Sequence, residues 1–492
     1  MTRHHTVLII GAGPCGLMTA CELRRRGIAA DILDGAAEAQ RGSRAILLWP
    51  PSLRLYRDLG VLADAERRGV TIRALSYFLG PGRSFRLPLA PAMAPLILPQ
   101  EDTDALLDGE LRRLGGSVEW GRTLTAITQT AGRVSVELRH ADGTRETRTA
   151  DWVIGADGFK SATRELLGIA FAGERLPTTF LLAEGKIAGD YDREAVNYYL
   201  SRAGVVLVAP LPGGRVRISA PLPAGEAVRD DTTQRMLDER VPGGLRVVEL
   251  DVNTSFTSHE RIAARLRAGR CFLVGDAAHT HSVVGGQGLN LGFGDARNLA
   301  WKLAGVIERR LDARILDSYD VERRAAAEQV VQATGRMARQ AVMGPVAAWM
   351  RNTLFSAAHR SGVLGKKLPP LLAGWAIRYP QTLIARGGKR AGFLPPAGAC
   401  SPEWTLARAD ADRDRFELVT VGPEHTQQRT QAAQLVRAHS ALVSHRHVVA
   451  GQEGFLLLRP DGFVAASGRR GDLGWLGDAF ATLAVSHKEM HE

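Results

Sequence analysis

Residues 275–292, GDAAHTHSVVGGQGLNLG, put an aspartate, two histidines and a run of glycines between CFLV, an apolar run ending at Val274, and DARNLAWKLAGVIERR. In the latter, Ala296, Leu299, Ala300, Leu303 and Ile307 recur at helical spacing. Strand, glycine loop, helix is an arrangement that exposes backbone N–H groups at a helix start, where anions and polar oxygens bind. Asp276 adds a carboxylate that can accept from hydroxyls. His279 and His281, at i and i+2, could ligate a metal, but no acidic or cysteine partner follows at ligand spacing, so no metal is expected.

A second such unit opens the chain. VLII leads into GAGPCG at 11–16, then LMTACELRRRG, then AADILD. Gly11, Gly13 and Gly16, with Ala12 and Pro14 between them, fit GxGxxG between strand and helix. Such a fingerprint lets backbone approach a pyrophosphate and helix pack closely on strand. Asp34 then ends the second strand, where an acid bonds a ribose 2′-hydroxyl. That favours FAD or NAD over NADP at this site.

Residues 116–155 alternate with period two and carry AG and DG turns, which predicts a β meander ending in DWVIGADG. Strand patterns return from about 180 to 255 and predict a second sheet, to which 71–98 could contribute. The pattern after 331 is helical, RGGKRAGFLPPAGACSPEW reads as a linker, and about ninety residues beyond it read as a small α/β unit.

At 492 residues the chain is long enough for several domains. Its net charge of +11 comes mostly from scattered arginines without aromatic interleaving, which favours anionic small molecules over nucleic acid. Cys15, Cys21, Cys271 and Cys400 form no CxxC pair, as suits a reducing compartment, and no apolar run is long enough to span a bilayer. A cytoplasmic protein without a membrane partner is expected.

Together, GAGPCG, GADGFKSATRELLGI at 155–169 and GDAAHTHSVVGGQGLN resemble, in order and spacing, the FAD-dependent aromatic hydroxylases of the para-hydroxybenzoate hydroxylase type. The length and RPDGFVAASG look like the subgroup with a C-terminal thioredoxin-like domain, which includes phenol hydroxylase and polyketide-tailoring hydroxylases of antibiotic pathways. The resemblance implies an α/β fold with an FAD-binding βαβ domain (1–178 and 262–330). It also implies an inserted antiparallel-sheet substrate domain (179–261), a helical connector (331–394) and a thioredoxin-like domain (395–492).

Further implications concern single residues. Asp276 would accept from the ribityl hydroxyls. The loop with Gly286 and Gly288 would bring the N–H groups of Leu289 and Asn290 to the flavin N1 and C2 oxygen. Arg44 would lie near the FAD phosphates, Gln100 on the ribityl chain, the Leu124 backbone on the adenine, and Asp157 in an Asp-Gly motif serving FAD and NAD(P)H. Solvated charge, a polar helix start and a plain β-turn are the structural alternatives for Arg44, Gln100 and Asp157. His281 and Val283 would face the substrate side of the flavin, though a structural hydrogen bond serves His281 equally well. Tyr77, Phe78, Tyr198 and Tyr199 can either line a pocket or pack a sheet. Cys400 stands alone, so the C-terminal unit would lack redox chemistry.

The implied activity is hydroxylation of an aromatic or polyketide substrate through a flavin C4a-hydroperoxide, consuming NADH or NADPH and O2, by a monomer or homodimer. NAD(P)H would bind only transiently, because no second GxGxxG follows a strand. Baeyer-Villiger oxidation, epoxidation and a flavin-binding partner without oxygenation are the alternatives.

The chain departs from the family at Lys160, after the Asp-Gly motif, and at Ser282-Val283, where proline is common. Without proline the loop keeps an N–H and more freedom. The native enzyme is therefore expected to leak hydrogen peroxide, and Val283→Pro to raise the ratio of product formed to NAD(P)H consumed. A proline variant that leaks more would contradict this reading.

Overall fold

The computed structural model describes residues 3–39, 46–80, 82–223, 225–282, 285–380, 383, 392–408, 414–469 and 473–485. Strand Arg3–Ile10 lies at the centre of the first sheet because Val7, Leu8 and Ile9 are apolar on both faces and wholly buried, as a parallel strand covered on two sides requires. Ala30–Leu33 and then Val118–Glu119 run parallel on one side of it; Arg145–Gly155 and then Cys271–Leu273 run parallel on the other. The strand feeding the second glycine loop thus lies two places from the strand feeding the first. Arg122–Gln129 and Val134–His140 form the expected meander with Arg145–Gly155.

Helix Pro14–Arg24 starts with proline at its first position, where no N–H is needed. It packs against helix Gly288–Ile307, which buries Ala296, Leu299, Ala300 and Leu303 as their spacing predicts.

The second sheet has eight strands in the order His279–Thr280, Arg246–Ala263, Phe171–Ala188, Val216–Pro221, Val205–Pro210, Ala195–Leu200, Ala74–Phe78, Ser84–Pro88. All neighbours are antiparallel except Ala195–Leu200 with Ala74–Phe78. The 71–98 segment is divided: its middle joins this sheet, while Leu96–Ile97 pairs with Leu47–Leu48 on one side and Val70–Thr71 on the other in a three-stranded sheet. Phe171–Ala188 pairs with Arg246–Ala263 from Phe171 onward, with a register shift between Arg175 and Thr179, so the second sheet begins at 171 and not at 179. Tyr77 stacks on Tyr198 at 5.0 Å and Phe78 on Tyr199 at 4.5 Å, so these rings pack the sheet as cross-strand pairs.

The C-terminal unit has strands Val443–Val449, Phe416–Gly422, Gly454–Leu458 and Val464–Arg469 in that order, the first pair parallel, with helices Gln427–Ala438 and Gly474–Leu483. This is consistent with the expected thioredoxin-like arrangement. Phe416 meets Trp301 edge-on at 5.7 Å, so its core merges with that of the nucleotide fold. No helix among the described residues is long and apolar enough to cross a membrane.

Candidate functional site

The three fingerprint glycines have three different surroundings. Gly11 has φ +105°, and a Cβ there would lie 2.4 Å from the Ala156 carbonyl oxygen. At Gly16 a Cβ would lie 2.0 Å from the Gly11 oxygen, so only hydrogen fits between helix and strand. At Gly13 nothing lies within 4 Å: the loop is open on that side. Asp34 is braced from behind, its carboxylate accepting from the Ala12 N–H at 2.7 Å and the Ala36 N–H at 2.8 Å. Arg122 N–H donates to the Asp34 carbonyl at 2.8 Å, which brings the start of the Leu124 strand alongside; Leu124 itself buries its side chain.

Asp276 sits exposed on the single turn Gly275–Ala277. Helix Gly288–Ile307 follows, and neither its Gln287 N-cap nor the Gly13 N-cap of the first helix makes a side-chain capping bond. Both ends thus leave N–H groups for a ligand. The two units meet at Cys15: a Cβ on Gly292 would lie 2.4 Å from the Cys15 sulfur and 3.0 Å from Gly275 Cα, and one on Gly275 would lie 2.7 Å from the same sulfur. Glycine at 275 and 292 therefore lets two helix N-termini, 275 residues apart in sequence terms at Gly13 and Gly288, converge.

The side chain of Asn290 is spent on the scaffold. Its Nδ2 donates to the carbonyls of Leu47 and Gly286, both at 2.8 Å, and its Oδ1 accepts from Trp49 N–H and the Ser52 hydroxyl at 2.8 and 2.7 Å. Trp49 also donates to the Gly285 carbonyl at 3.1 Å. Asp157, likewise, accepts from the Ser161 hydroxyl (2.5 Å) and from Thr163 N–H and hydroxyl (2.8 and 2.9 Å), fixing its own turn. Arg44 and Val283 lie outside the described residues.

His279 and His281 are separated in role. His279 Nε2 pairs with Asp295 at 2.8 Å. His281 Nδ1 lies 2.6 Å from the Ser282 carbonyl and must donate to it, leaving Nε2 buried without a hydrogen-bond partner among the described residues. Burial lowers His281 to about 4, so the ring is neutral at ordinary pH. Among the described residues, no group of three or more His, Cys, Asp or Glu is placed to hold a metal ion.

Gln100 opens helix Gln100–Arg113, and Asp104 follows one turn later. Burial pushes Asp104 up to about 7, against a hydrogen bond from Gln100 that favours the charge. Protonated Asp104 therefore stabilises the fold: its contribution is full below the ordinary carboxylate value and is lost as pH rises through about 7. Subtracting the Asp104→Asn denaturation midpoints from those of the parent should leave a curve that falls from about pH 4 to about pH 7. A flat difference would show that Asp104 ionises normally.

Beneath the second loop lies a buried polar network that sequence reasoning missed. Asp295 accepts from Gly275 N–H at 2.9 Å and from Arg323 at 2.7 Å, and Arg323 also donates to Tyr379 Oη at 2.7 Å and the Leu291 carbonyl at 2.8 Å. Next to it, Glu322 accepts from both arms of Arg459 (2.6 and 2.7 Å), from Lys302 (2.7 Å) and from Asn298 (2.8 Å). Asp461 accepts from Arg459 at 2.6 Å and Asn298 at 3.2 Å. These cations hold the Glu322 carboxyl well below its usual range, while burial brings Lys302 down to about 8. The RPDG turn of the C-terminal unit is thereby tied, through two helices, to the loop carrying Asp276.

The family model for the FAD binding domain matches residues 4–334. The chain is 31% identical to 6-methylpretetramide 4-monooxygenase of Streptomyces rimosus, over 94% of its own length and 91% of that protein's. It is 35% identical to rifampicin monooxygenase of Streptomyces venezuelae over 67% of its length and 70% of that protein's. Among solved structures it is similar to OxyS anhydrotetracycline hydroxylase from Streptomyces rimosus, with a TM-score of 0.76 and 27% identity, covering 98% of this chain and 99% of that one. This chain belongs to the FAD-binding flavoprotein monooxygenases: it is an oxidoreductase that uses FAD, NAD(P)H and O2 for hydroxylation.

Proposed function

We propose that this monooxygenase hydroxylates a polycyclic aromatic substrate of polyketide type, with one FAD held jointly by its two strand–loop–helix units. The observation that carries the cofactor part is the convergence of two uncapped helix N-termini on Cys15, with Gly13 open to solvent. In this reading the backbone of Ala12 and Gly13 meets the pyrophosphate, aided by Pro14 and Gly16, and Asp34 meets the adenosine ribose. Gln100 and Asp276 hold the ribityl chain, and the N–H groups of Leu289 and Asn290 face the pyrimidine edge of the flavin. Flavin, when bound, supplies the redox chemistry and the activation of oxygen. The protein supplies position, dry surroundings and the positive end of helix Gly288–Ile307, which favours negative charge on the ring.

The substrate class rests on relatives matched along nearly the whole chain, whose names specify a pretetramide and an anhydrotetracycline. The enzyme acts in the cytoplasm as a monomer or homodimer, and its four cysteines are free. Turnover of phenolic polyketides under 18O2 with NAD(P)H tests the reading. A product carrying one labelled hydroxyl oxygen supports it; label inserted between ring carbons, or only in peroxide, refutes it.

A further inference from the structure

From Gln329 to Pro380 the chain carries seven arginines and lysines and no aspartate or glutamate. The same segment holds most of the large apolar side chains exposed among the described residues. Helix Pro345–Arg360 is fixed by its inner face: Asn352 donates to the carbonyls of Leu79 and Leu200 at 3.1 and 2.7 Å, Phe355 packs edge-on against Tyr77, and His359 stacks on Phe85 at 4.0 Å. Its outer face should then be polar. Instead Val346 is 72% exposed, Trp349 48%, Met350 53% and Leu354 68%. Arg336, Arg339, Arg360, Lys366 and Lys367 are exposed in the same segment.

We propose that this connector docks the enzyme on an anionic lipid surface. An outward apolar face bearing Trp, Met, Leu and Val, in a segment whose exposed charges are all basic, has the composition of a helix that lies in the headgroup region, where apolar insertion and attraction to acidic lipids add. A second copy fits poorly, since a two-fold contact sets the same positive segment against itself. Nucleic acid fits poorly too, because three of the four outward side chains are aliphatic or thioether and offer bases nothing to stack on. No spanning helix is needed for this attachment, so it replaces the expectation of no membrane partner, which rested on the lack of a spanning run, with peripheral binding.

Flotation of the FAD-loaded full chain with vesicles tests the proposal. It should float with phosphatidylglycerol–phosphatidylcholine vesicles, remain behind with pure phosphatidylcholine, and be released by high salt. Trp349→Ser with Leu354→Ser should reduce binding about tenfold, and Lys366→Glu with Lys367→Glu should do the same, with NAD(P)H oxidation unchanged in both. Failure to float on acidic vesicles at low salt would overturn it, as would undiminished flotation of both variants. A dimer in sedimentation that the Trp349 and Leu354 changes abolish would assign the face to a second copy and overturn it as well.

Discussion

Glu322→Gln is expected to cost about 3–5 kcal/mol of stability, because it removes one of the two buried carboxylates, Glu322 and Asp461, that compensate Arg459 and Lys302. Arg459 and Lys302 both donate to this one carboxylate, and all three side chains are almost fully buried. The amide keeps the size but brings an NH2 group against donors, so at least one cation is left facing another donor. Because the network joins the C-terminal unit to the helices under the Asp276 loop, flavin should be released at a lower denaturant concentration in the variant, together with the drop in tryptophan signal. Midpoints equal to the parent's would mean that water satisfies Arg459 and Lys302 and that the two parts are not coupled there.

Gly13→Ala should separate cofactor binding from folding. Gly13 has φ −69° and ψ 175°, which alanine adopts freely, and nothing in the protein lies within 4 Å of the added methyl. Without flavin, the variant should be as stable as the parent or about 0.4–1 kcal/mol more so, through a stiffer unfolded chain. The methyl enters the space assigned to the pyrophosphate, so FAD should bind at least about tenfold more weakly, a change of 1.4 kcal/mol or more. Gly16→Ala behaves differently, since its methyl would strike the Gly11 oxygen and the turn itself must open. Equal FAD affinity in Gly13→Ala and parent would remove the pyrophosphate from this loop.

Both glycine units were legible in sequence because each is local: strand, turn and helix lie within about thirty residues, and the turn chemistry names its own glycines. The contact between the units was not, since Cys15 and Gly292 look like an ordinary small residue and a helix glycine until the parallel sheet brings their strands together. Asp157 shows a motif whose carboxylate, engaged by Ser161 and Thr163, could have been read from the hydroxyl residues in DGFKSAT as a turn-fixing acid. Glu322 and Arg323 resemble surface charge in VERRAAAE. Their neighbours Ala326, Ala327 and Val330 place them on the buried stripe of helix Asp317–Ala341, the signal that could have identified the network. The aromatic pairs needed strand register, which period-two alternation does not supply.

The most direct test of a flavin shared by the two units is the FAD content of purified protein, read from its visible absorption, for the parent and for Asp276→Ala. The parent should carry one noncovalent FAD per chain. The variant should be largely colourless while retaining its fold, because Asp276 is exposed and its loss removes charge-assisted hydrogen bonds worth roughly 1.5–3 kcal/mol. Full FAD occupancy in folded Asp276→Ala would contradict the account and leave the cofactor to the N-terminal unit alone.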